Sequence, residues 1–165
     1  PRRMLGAALL DEETFEEVEH DRNATRQAAL IVAAVAVASG IGGFRAGFSS
    51  SLSQLVSQVL GWLLMTFLAY LIGTRLFRAT ATWGEVLRTV GFAQTPGLFF
   101  GFASLSFLVR VGLWMWILVA TVVALRQSLD LSEGKTIVTG ILCWVAYMAI
   151  GVIAWWLFGL RPVMG

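Results

Sequence analysis

Charged residues are scarce in this sequence. Only 13% of its 165 residues are Asp, Glu, Lys or Arg, whereas 58% are hydrophobic; soluble domains typically carry about 25% charged residues. The net charge is only +2 and the basic residues are scattered along the chain, which argues against a nucleic-acid partner. The composition indicates a protein most of whose residues lie in lipid.

Cysteine and histidine are nearly missing as well, since Cys143 and His20 are the single examples. One cysteine excludes an intrachain disulfide, and one histidine excludes a His-rich metal site and disfavours a Ser-His-Asp catalytic arrangement. Glu16 and Glu17 lie at helical spacing from His20, but a solvated acidic helix face explains this spacing better than a surface cation site does. We therefore predict no catalytic residue, no metal site and no cofactor.

Residues 1–26 form the one extended polar segment of the sequence, with seven acidic residues and four arginines. Phe15 and Val18 share a face at helical spacing, and Thr14 and Glu17 have the spacing of a capping box. The pattern predicts a cytoplasmic amino-terminal segment with one short amphipathic helix at the membrane surface.

Long apolar runs follow this segment. A hydrocarbon core about 30 Å thick takes about 20 helical residues to cross. We predict a first span over about residues 27–44 with Thr25 as its N-cap, and a second span over about residues 55–77 after a Gly- and Ser-rich break. A final span is predicted over residues 136–158, with Ser132 as the N-cap.

The third helix is predicted to begin at a capping box formed by Thr82 and Glu85. Residues 90–125 are 36 mostly apolar residues, which as one helix would be about 54 Å long and too long for one crossing. The chain must therefore reverse, and Arg110 and Gly112 mark the expected place. This hairpin supplies the third and fourth helices.

These patterns predict an all-α fold, a polytopic integral membrane bundle of about five transmembrane helices with a short amino-terminal interfacial helix. The transmembrane domain covers residues 27–158, and residues 159–165 form a carboxyl-terminal tail. With the amino terminus inside, nine Lys and Arg residues lie in cytoplasmic segments and three in outer segments, as the positive-inside rule requires. The nine are Arg2, Arg3, Arg22, Arg26, Arg75, Arg78, Arg88, Arg126 and Lys135, and the three are Arg45, Arg110 and Arg161. We expect a multi-pass protein of a bacterial inner membrane with its carboxyl terminus outside.

The predicted spans contain no Asp, Glu, His or Lys, whereas transporters and proton pumps usually carry such groups near the bilayer centre. The most unusual intramembrane feature is a polar and helix-breaking group in the third helix. Gly91, Pro96, Gly97 and Gly101 are predicted to pack against neighbouring helices, because small residues allow close approach and Gly97 and Gly101 form a GxxxG pattern. Gln94 is the candidate polar intramembrane site.

Basic residues recur at the predicted inner ends of the helices. They are candidates for contacts with anionic lipid headgroups, worth about 1 kcal/mol each, and ordinary topogenic charge explains them equally well. The five candidates are Arg75, Arg78, Arg88, Arg126 and Lys135.

Four sequence segments together resemble one family. GTRLF followed by ATWGEVLRTVGFAQTP, the leading segment TFEEVEHDRNATRQAAL and the later segment WILVATVVALRQSLDLSEGKT are similar to bacterial members of the Ypt-interacting-protein (Yip) family, over roughly residues 14–158. The resemblance implies a five-helix fold with a cytoplasmic amino terminus. It does not imply the vesicle-traffic role of the eukaryotic relatives with Rab-type GTPases, because their long cytoplasmic amino-terminal region has no counterpart here.

The leading functional hypothesis is a non-enzymatic membrane protein. It would bind membrane lipids and other integral membrane proteins, or further copies of itself, and organise or stabilise an assembly, for example as an accessory subunit of a larger complex. The alternative is a channel or uncoupled carrier for a small solute, with a path near Gln94, Pro96, Thr66 and Thr95. A lipid-modifying enzyme would need a nucleophile and a base at headgroup depth, and the sequence offers no such pair.

Overall fold

A computed structural model describes residues 2–43 and 48–158. Over these ranges the chain forms seven α-helices and one 3-10 helix. The helices are α1 (Arg2–Ala8), α2 (Glu12–His20), α3 (Ala24–Gly43), α4 (Phe48–Leu76), α5 (Trp83–Ala93), the 3-10 helix (Thr95–Leu105), α6 (Phe107–Leu129) and α7 (Glu133–Phe158). By length and composition, α3, α4, α6 and α7 are able to cross a membrane. The prediction of an all-α, multi-pass membrane fold is confirmed.

Two helix starts follow the sequence signals directly. Thr82 and Glu85 form the predicted capping box at the start of α5, because the Thr82 hydroxyl accepts the Glu85 N–H and the Glu85 carboxylate accepts the Thr82 N–H. The last long helix begins at Glu133, directly after Ser132. The capping box at α5 satisfies backbone donors that would otherwise lack partners at a helix end.

The amino-terminal segment differs from the single helix that we expected. It forms two helices, α1 and α2, and α2 begins at Glu12 after Asp11. Thr14 therefore lies inside α2, where its hydroxyl donates to the Asp11 carboxylate over 2.6 Å instead of capping a helix with Glu17. Phe15 is fully buried, as its place on an apolar face predicts.

The first two long helices begin before the predicted spans, although the apolar part of α4, Leu55–Leu76, agrees with the second predicted span. Asp21 accepts the Asn23 N–H through its side chain and the Ala24 N–H through its carbonyl, so α3 begins at Ala24 and Thr25 lies within it. The helix α4 begins at Phe48, and the serines that we read as a break are helical. Residues 44–47 and the predicted tail, 159–165, lie outside the described residues.

The chain reverses at Ser106, before the place that we predicted. Ser106 has extended backbone angles, and its hydroxyl accepts the Leu108 N–H over 3.2 Å as the N-cap of α6. Arg110 and Gly112 lie inside α6. The physical reason is that a serine cap satisfies the end of the helix, whereas a glycine is tolerated within membrane helices.

The buried core is built around α3 and α5. Ala28, Val32 and Val35 on α3 and Val86 and Val90 on α5 are almost completely buried. The helix α3 contacts α4, α5 and the 3-10 helix extensively. It is therefore the central helix against which the interrupted third span packs.

Candidate functional site

The third predicted span is divided at Gln94 into α5 and the 3-10 helix. Pro96 has no N–H, so it cannot donate to the carbonyl of Phe92 as the next residue of an α-helix would. That carbonyl instead accepts the Thr95 hydroxyl over 2.6 Å and the Gln94 N–H. A threonine thus satisfies the backbone group that proline leaves free, as an interrupted helix in lipid requires.

A small polar cluster lies beside this break. The side-chain amide of Gln58 on α4 donates to that of Gln94 over 3.3 Å. Trp62 and Thr66 follow Gln58 at intervals of four residues and so lie on the same face of α4. In the described part of the chain, the Trp62 indole N–H and the Thr66 hydroxyl are the buried side-chain polar groups without a hydrogen-bond partner.

This cluster combines two residues named in the sequence analysis with two that it missed. Gln94 was singled out and Thr66 was placed near it, whereas Gln58 and Trp62 were not considered. The signal that points to them is the four-residue spacing of polar groups within an apolar run. Because unpartnered buried donors are costly, the cluster is the part of the described bundle best suited to bind a polar group.

The glycines of the third span pack along α3 of the same chain. A Cβ atom added at Gly91 would lie 2.7 Å from the Ala28 Cβ, and one added at Gly97 would lie 2.7 Å from the Val35 Cγ1. At Gly101 the nearest atom would be the Ala38 carbonyl oxygen, at an ordinary 3.9 Å. The successive contacts show that α5 and the 3-10 helix run beside α3 in the same direction. The close approach is internal to the fold, not a contact with a second chain.

Arg88 differs from the other candidate headgroup residues. Its side chain is only 7% exposed, and its guanidinium donates to two backbone carbonyls near the end of α2, those of Val18 at 3.2 Å and of Glu19. A helix carboxyl end carries unsatisfied carbonyls and a partial negative charge, so a cation stabilises it. We therefore do not retain Arg88 as a headgroup contact, because it holds α2 against α5.

A second set of contacts joins α1 to α2. Arg3 forms ion pairs with Glu17 and Asp21, both at 2.7 Å. Gly6 faces Thr14 so closely that a Cβ atom at Gly6 would lie 2.9 Å from the Thr14 Cβ. The two helices form a tight hairpin, which we call the amino-terminal hairpin (residues 2–20).

The amino-terminal hairpin is also fastened to α6. The Trp116 indole N–H donates to the carbonyl of Ala8 over 2.7 Å, and Arg126 forms an ion pair with Glu12 at 3.2 Å. Arg126 also lies 3.4 Å from Glu133 at the start of α7. These contacts fix the hairpin along the side of α6.

Glu19 lies half-buried where the hairpin meets the ends of α5 and α6. Burial raises the pKa of Glu19 to about 7. The nearby carboxylates of Asp130, Glu85 and Glu16 raise this pKa further, and His20 opposes them. The carboxyl group therefore changes its protonation state near neutral pH.

The remaining basic candidates have different surroundings. Arg75, Arg78 and Lys135 are exposed, at or just beyond helix ends, whereas Arg126 is partly covered and paired. His20, which we weighed as a cation ligand, lies with its Nδ1 2.9 Å from the Glu16 carbonyl oxygen. Over the described ranges, no three His, Cys, Asp or Glu residues are grouped as metal ligands would be.

Comparison with known proteins agrees with this architecture. A family model described as the Yip1 domain matches residues 9–155. No curated protein and no solved structure matches the chain. Proteins with this domain are generally non-catalytic, multi-pass membrane proteins that take part in trafficking and interact with other membrane proteins. Because the match covers most of the 165 residues, the chain belongs to the Yip1-domain family.

Proposed function

We propose that this protein organises or stabilises a membrane assembly by binding another integral membrane protein through α7. The observation that carries the proposal is Trp144, which is 55% exposed although it lies in the middle of that helix. The preceding residue, Cys143, is completely buried against the bundle. The helix thus has one side that packs within the chain, while Trp144, about 100° around the helix from Cys143, is uncovered.

The position of Trp144 along α7 is what makes its exposure informative. It lies eleven residues after Glu133 and fourteen before Phe158, which places it about 17 Å from the start of the helix. In a bilayer with a core about 30 Å thick that is close to the centre. Lipid-exposed tryptophans are enriched at headgroup level instead, so this residue is better explained by a protein partner.

The surface around Trp144 has the character of a helix-binding face. Ile137 and Ile141 precede it at helical spacing and are also more than half exposed. The main contacts of α7 are with α4 and α6, on the side that carries Cys143. A large aromatic residue flanked by aliphatic ones is typical of the centre of a binding surface, and a second transmembrane helix is the partner that reaches this depth.

Site-specific photocrosslinking in the native membrane tests the proposal. A photoreactive amino acid replaces Trp144 in one variant and Cys143 in the matched control. We expect discrete protein adducts from position 144 and none from position 143. An adduct of twice the chain's mass would identify a homo-oligomer as the assembly. Adducts with lipid alone at position 144 would refute the proposal.

The polar cluster supports a second candidate, a channel or uncoupled carrier for a small polar solute. Interrupted helices line substrate sites in some transporters, and here the interruption at Gln94 lies beside the Gln58 amide, one turn of α4 from the unpartnered Trp62 indole N–H and two turns from the unpartnered Thr66 hydroxyl. In reconstituted vesicles Gln94→Leu should abolish solute flux, while the control Gln127→Leu should not. Unchanged flux in the Gln94 variant would remove this path.

We further propose that the amino terminus is cytoplasmic and that the exposed bases contact anionic headgroups there. The support is the excess of Lys and Arg on that side and the exposure of Arg75, Arg78 and Lys135. Replacing all three with glutamine should weaken binding of anionic but not neutral lipids to the purified protein. An enzyme reporter that is active only outside the cytoplasm should be active when fused to the carboxyl terminus. An inactive fusion, together with activity of a reporter that works only in the cytoplasm, would contradict this orientation.

A further inference from the structure

We propose that the groove between α1 and α2 of the amino-terminal hairpin binds the headgroup of a zwitterionic phospholipid. The groove has a volume of about 440 Å³, which lies within the range of small-ligand sites. Its occupant is a lipid that carries a phosphate and a primary ammonium, such as phosphatidylethanolamine. Arg2 binds the phosphate and Glu13 binds the ammonium. This site is separate from α7 and from the exposed bases named above, so either proposal can fail while the other stands.

The groove has an apolar side and a charged side. The helix α1 contributes Leu5 and Leu9, which are 63% and 69% exposed, and α2 contributes acidic side chains, among them Glu13. Gly6 and Thr14, where the two helices approach closely, also line the groove. An amphiphile suits both sides at once, because its apolar part covers the leucines while its charged part stays beside the carboxylates.

Three of the charged groups that line the groove are already engaged within the hairpin and the turn after it. The Arg3 guanidinium forms ion pairs with Glu17 and with Asp21, both at 2.7 Å. The Asp11 carboxylate accepts the Thr14 hydroxyl over 2.6 Å. The ion pair with Glu17 holds α1 against α2, and the hydroxyl contact fixes the carboxylate at the start of α2. These groups therefore shape the groove.

Arg2 and Glu13 are the charged groups left to bind a ligand. Both line the groove and are exposed, and among the described residues neither has an ion-pair partner. One unpaired cation and one unpaired anion are the complement of a zwitterion. A lipid with a net negative charge is attracted to Arg2 but repelled by the carboxylates beside it. A primary ammonium donates N–H groups to a carboxylate, which the trimethylammonium of a choline headgroup cannot do.

The two ends of the hairpin place the groove at headgroup level. At the tip, Glu12 pairs with Arg126, three residues before the end of α6. At the open end, the carbonyl of Asp21 accepts the first N–H of α3. Both ends thus lie beside termini of membrane-spanning helices, where carboxylates stay hydrated. An amphipathic helix at this level buries its apolar face at the boundary between headgroups and acyl chains, and Leu5 and Leu9 need reach no deeper.

Counting the lipids that stay bound to the intact protein tests the proposal. The protein is reconstituted into vesicles of equal parts phosphatidylethanolamine, phosphatidylcholine and phosphatidylglycerol with identical acyl chains. It is then extracted in a mild detergent, and the retained lipids are quantified by native mass spectrometry. The variants Glu13→Gln and Arg2→Gln alter the groove. The matched controls are Glu16→Gln and Arg22→Gln, which make the same changes of charge at exposed residues outside the groove.

We expect the wild type to retain phosphatidylethanolamine over phosphatidylcholine by about two- to fivefold, the range that an exposed ion pair supports. Glu13→Gln should abolish this preference and Arg2→Gln should lower the retention of both lipids, whereas the controls should match the wild type. An equal preference in Glu13→Gln and Glu16→Gln would overturn the proposal. Glycerophosphoethanolamine, which lacks acyl chains, should not displace the lipid. Displacement by it would also overturn the proposal, because the groove would then bind a soluble ligand.

Discussion

Replacing Arg88 with methionine should release the amino-terminal hairpin from the bundle. The substitution keeps a long side chain but removes the donors to the Val18 and Glu19 carbonyls. Hydrogen bonds from a charged group contribute roughly 1.5–3 kcal/mol each to stability. The methionine variant loses them, but it also no longer bears the desolvation free energy of a buried guanidinium, which offsets part of the loss. We estimate a net loss of about 2–3 kcal/mol in docking free energy, which corresponds to about a 30- to 140-fold rise in hairpin opening.

Amide hydrogen exchange of the detergent-purified protein measures this opening. In Arg88→Met, exchange within residues 12–20 should accelerate by that factor, whereas exchange in the middle of α6 should not change. The matched control is Arg75→Met, because Arg75 is exposed at the end of α4. Unchanged exchange in α2, or an equal acceleration in the control, would refute the role that we assign to Arg88.

Three further predictions concern the packing, the hairpin and the polar cluster. Gly91→Leu should destabilise the fold by about 1–3 kcal/mol through overpacking against α3, measured as a lower apparent Tm. Gly112→Leu should leave the Tm unchanged, because nothing lies within 4 Å of a Cβ there; equal decreases of Tm in the two variants would contradict the close contact at Gly91. The pKa of Glu19 is raised to about 7 in the folded protein from its ordinary value of 4.5, so its contribution to stability is present below pH 4.5 and is lost as the pH rises through 7. For this half-exposed group we expect the stability to fall by on the order of 1 kcal/mol over this range, measured as an apparent Tm that decreases between pH 5 and 8. Glu19→Gln should flatten this dependence of Tm on pH; an unchanged slope in the variant would contradict the role of Glu19. Gln58→Leu and Gln94→Leu should each lower the free energy of unfolding by about 1–3 kcal/mol, because each leaves the other amide unpaired. The double variant should lower it by less than the sum of the two, whereas strict additivity would contradict a hydrogen bond between Gln58 and Gln94.

Features governed by neighbouring residues were predictable from the sequence. The capping box of Thr82 and Glu85 depends on residues three apart, and the buried face of α2 follows from helical spacing of Phe15 and Val18. The small residue Gly97 was expected at a close helix contact, and its nearest atom outside the break belongs to Val35. Local spacing was enough in the first two cases because the partner is close in sequence, and for Gly97 because a small residue permits close helix approach.

Features that depend on distant residues were not predictable. Arg88 has the sequence context of a topogenic charge, and only docking of α2, about 70 residues away in the chain, turns it into an internal cap. Gln58 is one polar residue in an apolar run until Gln94 lies opposite. The end of α1 was missed because Leu10 takes a conformation typical of glycine. The reversal at Ser106 was missed because Gly112 is a stronger break in soluble chains than in membrane helices.

The most direct test of the proposed function is affinity purification of the protein from its native membrane in a mild detergent, with mass spectrometry of what co-purifies. The wild-type chain should recover another integral membrane protein in stoichiometric amount, or a defined homo-oligomer. The variant Trp144→Ala should lose most of that recovery while keeping the monomer folded, because it removes the exposed aromatic residue at the centre of α7. Recovery of a lone monomer from the wild type, or equal recovery from the variant, would contradict binding through this face.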